Sequence, residues 1–167
     1  LIDKALSDYE NLIELKPDFI EAYVSLSNIL ISKDLRPEAI TELKKALKYD
    51  KNNSNILNEL ATQLFVIDDY DSAANYNSIL INLNPNKFNY YLNRAVCYTK
   101  LNRFEESITD YNKSIELNNN ISHAYYYRGL AHLQLGNNQA CIDWKTALEK
   151  GFTDAKPYLD KYCKARV

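Results

Sequence analysis

Small and large residues recur along this chain at a constant interval of 34 positions. Tyr23, Leu57, Tyr91 and Tyr125 form one column of that register, and Ser27, Ala61, Ala95 and Gly129, all small, form another. A third column holds Ala5, Ala39, Ala73 and Ser107; deleting one position from the last loop extends it to Ala140 and brings Trp144 under Tyr111. A period this regular restricts the fold to a linear array, because one such unit cannot bury its apolar face alone and must stack on its neighbours. Small residues let helix axes approach, and large ones fill the adjoining gaps at close-packed density.

On these columns the chain resembles repeat proteins built of helix pairs, and the resemblance implies two helices within each period. Residues 20–53 pair helices at about 20–33 and 37–49, with Pro37 in the first turn of the second, where a missing N–H is tolerated. Residues 54–87 pair about 54–67 with 70–83 across a polar turn at Asp68 and Asp69, and residues 88–121 pair about 88–101 with 104–117. The last unit, 122–152, turns at Gly136, a residue that accepts the left-handed conformation of a helix end. Residues 1–19 align with the second helix of a unit, with Ala5, Tyr9 and Pro17 in register, so the sequence predicts a half-repeat cut from a longer array. From 153 to 167 the columns stop. There Thr153 is an N-cap candidate and Pro157 falls in a first turn, while Lys156, Asp160, Lys161 and Lys164 alternate with Ala155, Tyr158, Leu159 and Tyr162 as in an amphipathic capping helix.

Tyr91, Ala95, Tyr98, Phe104, Ser107, Tyr111 and Ser114, with Pro17 and Pro85 at repeat ends, follow a known pattern. On these residues the chain resembles the tetratricopeptide repeat family. Lys51 and Asn119 replace the closing proline in two units, and Arg94 and Arg128 stand where Leu26 and Leu60 carry the usual leucine. The C-terminal ACIDWKTALEKG resembles the tails of bacterial repeat proteins. The resemblance implies an all-α fold, a right-handed α-solenoid of antiparallel helix pairs, and a role as an interaction scaffold or adaptor.

Composition excludes several other classes. An apolar fraction of 46% and a charged fraction of 25% are those of a packed domain. The formal charge of −2, with both signs interspersed, leaves no footprint for a nucleic-acid backbone, and no apolar run approaches the ~20 residues that cross a bilayer. Cys97, Cys141 and Cys163 show neither a C-x-x-C nor a metal spacing, so core packing of Cys97 and Cys141 is expected rather than a disulfide framework. That usage mildly favours a reducing, cytoplasmic setting.

No enzyme motif is present. His123 and His132, nine residues apart at about 100° per residue, fall on opposite faces of one helix and cannot share a metal. His132 shares the column of Leu30, Leu64 and Tyr98 and is expected in the core. Asp68, Asp69 and Asp71 read as solvated turn residues, and no phosphate loop or nucleophile motif occurs, so neither catalysis nor a cofactor is expected.

The resemblance implies a concave groove lined by the first helices. Its positions here are Asn55, Asn58, Thr62 and Phe65, then Asn89, Leu92, Asn93, Val96 and Lys100, then His123, Tyr126, Leu130 and Gln134. Asparagine amides both donate and accept, which suits pairing with the backbone of an extended chain, and aromatic rings add contact area. An Asn-rich composition accounts equally well for asparagine at exposed positions. Some family members grip a chaperone's C-terminal carboxylate through lysines and an arginine. Here Asn93-Arg94-Ala95 keeps the middle motif, but Asn58, Thr62, His123 and Tyr127 occupy the other positions, so a chaperone-tail clamp is not expected. The expected partner is a protein, as an extended peptide or a helix. The alternative is self-association, for instance a homodimer through the leading helix with Leu6, Tyr9 and Ile13.

Overall fold

A computed structural model of the chain describes residues 2–163, with side chains from residue 4 onward. Among the described residues the secondary structure is entirely helical and divides into two compact units, Leu1–Leu83 and Asn84–Val167.

The first unit contains α1 (Ile2–Leu15), α2 (Ile20–Ser32), α3 (Arg36–Ala46), α4 (Ser54–Val66) and α5 (Tyr70–Leu83). Helix α2 packs on α3 and α4 on α5 as antiparallel pairs, and α1 packs on α2. Leu6, Tyr9 and Ile13 are half-buried. Pro37 occupies the first turn of α3 as the sequence predicts. The core is supplied by the repeating columns: Ala22, Ala39, Ala46, Leu60, Ala73 and Leu80 are fully buried.

The second unit contains α6 (Phe88–Lys100), α7 (Phe104–Leu117), α8 (Ser122–Gln134), α9 (Gln139–Glu149), a 3-10 turn (Thr153–Ala155) and α10 (Lys156–Tyr162). One cluster joins Leu92, Ala95 and Tyr111 to Ile121 and Ala124. A second surrounds the fully buried Trp144 with Tyr126, Leu130, Phe152, Tyr158 and Leu159. Burying side chains of this size contributes on the order of 1.5–3 kcal/mol each. Both large aromatics keep a polar partner: the Tyr111 hydroxyl lies 3.1 Å from Thr99 Oγ1, and Trp144 Nε1 donates to the Tyr126 carbonyl at 3.2 Å.

The same turn closes the first helix of every pair. Asp34, Asp68, Asn102 and Gly136, each 34 positions from the next, have φ of 61°, 62°, 58° and 66°. After each, the next residue's N–H bonds back to Leu30, Leu64, Tyr98 and His132 in turn, at 2.8–2.9 Å. This is the Schellman arrangement, which satisfies carbonyls that a helix end otherwise leaves open. Gly136 was the one member expected from sequence; aspartate and asparagine fill the other three because they tolerate the left-handed region better than most residues.

Two expectations for the C-terminal segment change. Phe152, not Thr153, precedes the closing helical segment; Thr153 opens the 3-10 turn and α10 begins at Lys156, with Pro157 in its first turn. Cys141 and Cys163, 22 positions apart in sequence, are joined in a disulfide with Cα atoms 5.6 Å apart. Neither column nor spacing marks this pair, because the link depends on α10 folding back across α9. The pairing withdraws the argument for a reducing compartment. Cys97 is buried as expected. Lys164, assigned to the wet side of the capping helix, lies outside the described residues.

Candidate functional site

Charge is unequally divided between the units. The first carries 14 Asp and Glu against 8 Lys and Arg, a formal −6; the second carries 8 against 12, a formal +4. The near-zero total conceals this difference.

Within the first unit, α2 and α4 border a cleft of about 500 Å³. Ile20, Glu21, Val24, Ser25 and Asn28 line one side. Asn53, Asn55, Ile56 and Glu59 line the other, and the buried Leu43 of α3 closes the bottom. The α4 side is positioned by its cap: Asn53 Oδ1 accepts from the Ile56 N–H at 3.2 Å, and Asn53 Nδ2 donates to Asp50 at 3.1 Å. Asn28 and Asn55 are exposed and make no side-chain hydrogen bond among the described residues. Glu59 is half-buried and held from behind. Gln63 Nε2 donates to Glu59 Oε1 at 2.7 Å, Arg36 Nη1 donates to Gln63 Oε1 at 2.7 Å, and Arg36 also pairs with Asp34 at 3.0 Å.

Of the groove positions expected on α4, Asn55 lines this cleft. Asn58 is half-buried, and Thr62 is exposed with its hydroxyl donating to the Asn58 carbonyl at 2.9 Å. Phe65 meets the ring of Tyr70 edge-on at 5.2 Å. The α2 side of the cleft was not singled out from sequence. Its signal was available, since Glu21 and Asn28 stand one period before Asn55 and Thr62.

In the second unit, Asn93, Lys100 and Gln134 are exposed, and Asn89 and His123 are half-buried. Burial lowers the pKa of His123 below the usual imidazole value. Leu92 is a core residue, 7% exposed, and Val96 packs against the same cluster. Tyr126 lies in an aromatic group, 4.9 Å from Phe152 and 5.5 Å from Tyr158, with Leu130 beside it. These side chains help seat the C-terminal helix.

The two arginines that interrupt the leucine column have a structural use that the sequence reading missed. Arg94 binds Asp110 through two hydrogen bonds of 2.6 and 2.8 Å, and Arg128 binds Asp143 through two of 2.9 and 2.5 Å. Both aspartates are buried, and each pair ties the first helix of a repeat to its second. The separations, 16 and 15 residues, reproduce the one-residue deletion in the last loop. Arg94 also sits between the rings of Tyr91 and Tyr98 at 5.9 and 5.8 Å. His132 is buried near Asp143, its Nε2 3.9 Å from the carboxylate, and burial again lowers its pKa. Among the described residues no cluster of three His, Cys, Asp or Glu side chains is arranged to hold a metal, and no helix is long and apolar enough to cross a membrane.

Two tetratricopeptide-repeat family models match, one at residues 20–53 and the other at residues 88–121, two periods of the register. DnaJ homolog subfamily C member 7 of Mus musculus is 32% identical over 107 residues, covering 64% of this chain and 22% of that protein, so the chain corresponds to a minor part of that relative. A crystal structure of MamA aligns with a TM-score of 0.81 at 26% identity, covering 93% of this chain and 91% of MamA. YrrB, described as a tetratricopeptide-repeat protein with an unusual peptide-binding site, aligns with a TM-score of 0.85 at 20% identity over 96% of this chain and 84% of its own. With its 34-residue helix pairs, matched repeats and like-folded structures, the chain belongs to the tetratricopeptide-repeat family and has that family's all-α solenoid fold, a protein–protein interaction scaffold.

Proposed function

We propose that the first helices of the pairs, α2 and α4 in one unit and α6 and α8 in the other, bind a protein partner as an extended peptide or a helix. The observation that carries this reading is the cleft between α2 and α4: it is concave, partly apolar, and edged by the unengaged amides of Asn28 and Asn55. A carboxamide offers a donor and an acceptor together, so two of them can engage a peptide backbone whatever its side chains are. In the second unit Asn93, Lys100 and Gln134 supply exposed polar positions, while Leu92 and Tyr126 serve packing. The residues support non-catalytic binding, with no cofactor in the reading.

The test is a screen of the purified chain against an array of extended peptides, repeated with Asn28→Ala/Asn55→Ala. Peptides selected by the wild type should lose about tenfold or more in affinity for the variant, the scale of one or two hydrogen bonds. Equal binding by a variant of unchanged melting temperature would move the contact away from these helices.

A further inference from the structure

We propose that the cleft between α2 and α4 selects a basic side chain, so that the partner segment is a peptide carrying lysine or arginine. This deepens the binding reading above and rests on it.

Lysine and arginine have an apolar stem and a cationic head, and a site for them needs both kinds of surface. The cleft has them. Val24, Ile56 and the buried Leu43 present apolar surface at its bottom, and Glu21 and Glu59 stand one on each side. Among the described residues no lysine or arginine lines it. Among the described residues Glu21 has no cationic partner. Glu59 is the better placed of the two, because the donor from Gln63 fixes its carboxylate while engaging only Oε1 and leaving Oε2 open. Gln63 is itself 5% exposed and held by Arg36, so the carboxylate is oriented before a ligand arrives. A charge-assisted hydrogen bond to a pre-oriented, half-buried acceptor is roughly twice as strong as a neutral one.

The surroundings act in the same direction. The cleft belongs to the unit with a formal charge of −6, so cationic segments are drawn toward it and acidic ones repelled. An acidic tail would meet two carboxylates and no compensating cation. The residue chemistry therefore opposes an anionic ligand here.

The probe is a decapeptide array in which lysine, arginine, glutamate or leucine is fixed at one position in otherwise randomised peptides, followed by anisotropy titration of the best binder. Lysine- and arginine-fixed pools should be retained over glutamate-fixed pools. Glu59→Gln should weaken the chosen basic peptide by about tenfold, the exposed Glu21→Gln by roughly two- to fivefold, and Glu21→Lys by more than Glu21→Gln. Glu38→Gln, the same charge change on α3 outside the cleft, should alter binding less than twofold, roughly the effect of a screened distant charge. A melting temperature within a few degrees of wild type verifies folding of each variant; if Glu59→Gln melts earlier, Glu21→Gln alone carries the comparison. Peptides that bind without basic preference, and equally to Glu21→Gln, would overturn the cationic site while leaving groove binding intact. Failure of every pool to bind would overturn both. Weakening by Glu38→Gln equal to that by Glu21→Gln would replace the cleft by diffuse attraction.

Discussion

Gly129 lies against the indole of Trp144 so closely that a Cβ built on it would stand 2.6 Å from Nε1 and 2.8 Å from Cδ1. The small column and the large column thus face one another, and in the last repeat the largest side chain meets the smallest. Gly129→Ala gains about 1 kcal/mol of helix propensity, but it must push aside a ring that is fully buried and hydrogen-bonded to the Tyr126 carbonyl. Net destabilisation of about 1–3 kcal/mol is expected by thermal or urea unfolding. Gly129→Ala/Trp144→Tyr, which recreates the Ala95/Tyr111 combination, should recover most of it. Loss in the double variant equal to the sum of the two single losses would contradict this fit.

The pairs Arg94–Asp110 and Arg128–Asp143 make a separate prediction. Asp110→Ala removes the buried carboxylate that takes two hydrogen bonds from the half-buried Arg94 guanidinium, so it should cost about 1.5–3 kcal/mol. The repeat before it fills the equivalent positions with Leu60 and Tyr76. Arg94→Leu/Asp110→Tyr should therefore lie closer to wild type than Asp110→Ala does, when both are compared by urea midpoint.

Reduction should loosen the C-terminal helix. Closing a loop of 22 positions stabilises the folded chain by about 3 kcal/mol in the chain-entropy account. Unfolding with and without a phosphine reductant, followed by Trp144 fluorescence, should show a shift that Cys141→Ser/Cys163→Ser reproduces and reductant no longer changes. Cys97 supplies the control. Burial pushes its thiol pKa up to about 11, so alkylation at pH 8 should reach it only after unfolding.

Acid should weaken the second unit before its carboxylates titrate. The pKa values of His123 and His132 are both depressed by burial in the folded state, so folding holds them neutral. Their contribution is fully present above the unfolded value of about 6.5 and is lost as pH falls through the lower folded values. The urea midpoint should drop between pH 7 and pH 5, and His123→Gln/His132→Gln should flatten that drop.

Much of the fold was legible because the period places equivalent residues in equivalent environments; Ala95, Tyr111 and Trp144 occupy the core that their columns require. What escaped was whatever the columns treat as exceptions. Asp34, Asp68 and Asn102 adopt the left-handed turn, yet aspartate and asparagine have so many solvated uses that their types do not announce it. Arg94 and Arg128 read as departures from leucine until Asp110 and Asp143 are seen opposite them. The Cys141–Cys163 link follows no repeat at all. At the candidate site, Asn55 was readable from the resemblance, whereas Glu21, Val24 and Asn28 required recognition that the cleft extends one period earlier. Leu92 and Tyr126 illustrate the converse difficulty, since a groove position beside a core position can turn inward to fill space.

Position-specific photo-crosslinking to the best peptide from the array tests the central claim most directly. A photoreactive phenylalanine would be placed singly at Asn28, Asn55 and Asn93 on first helices, and at Thr41, Asn75 and Thr109 on second helices, all exposed positions. Binding by the first helices predicts peptide adducts from Asn28 and Asn55, with or without Asn93, and background yield from Thr41, Asn75 and Thr109. Adducts confined to the second-helix positions would contradict it.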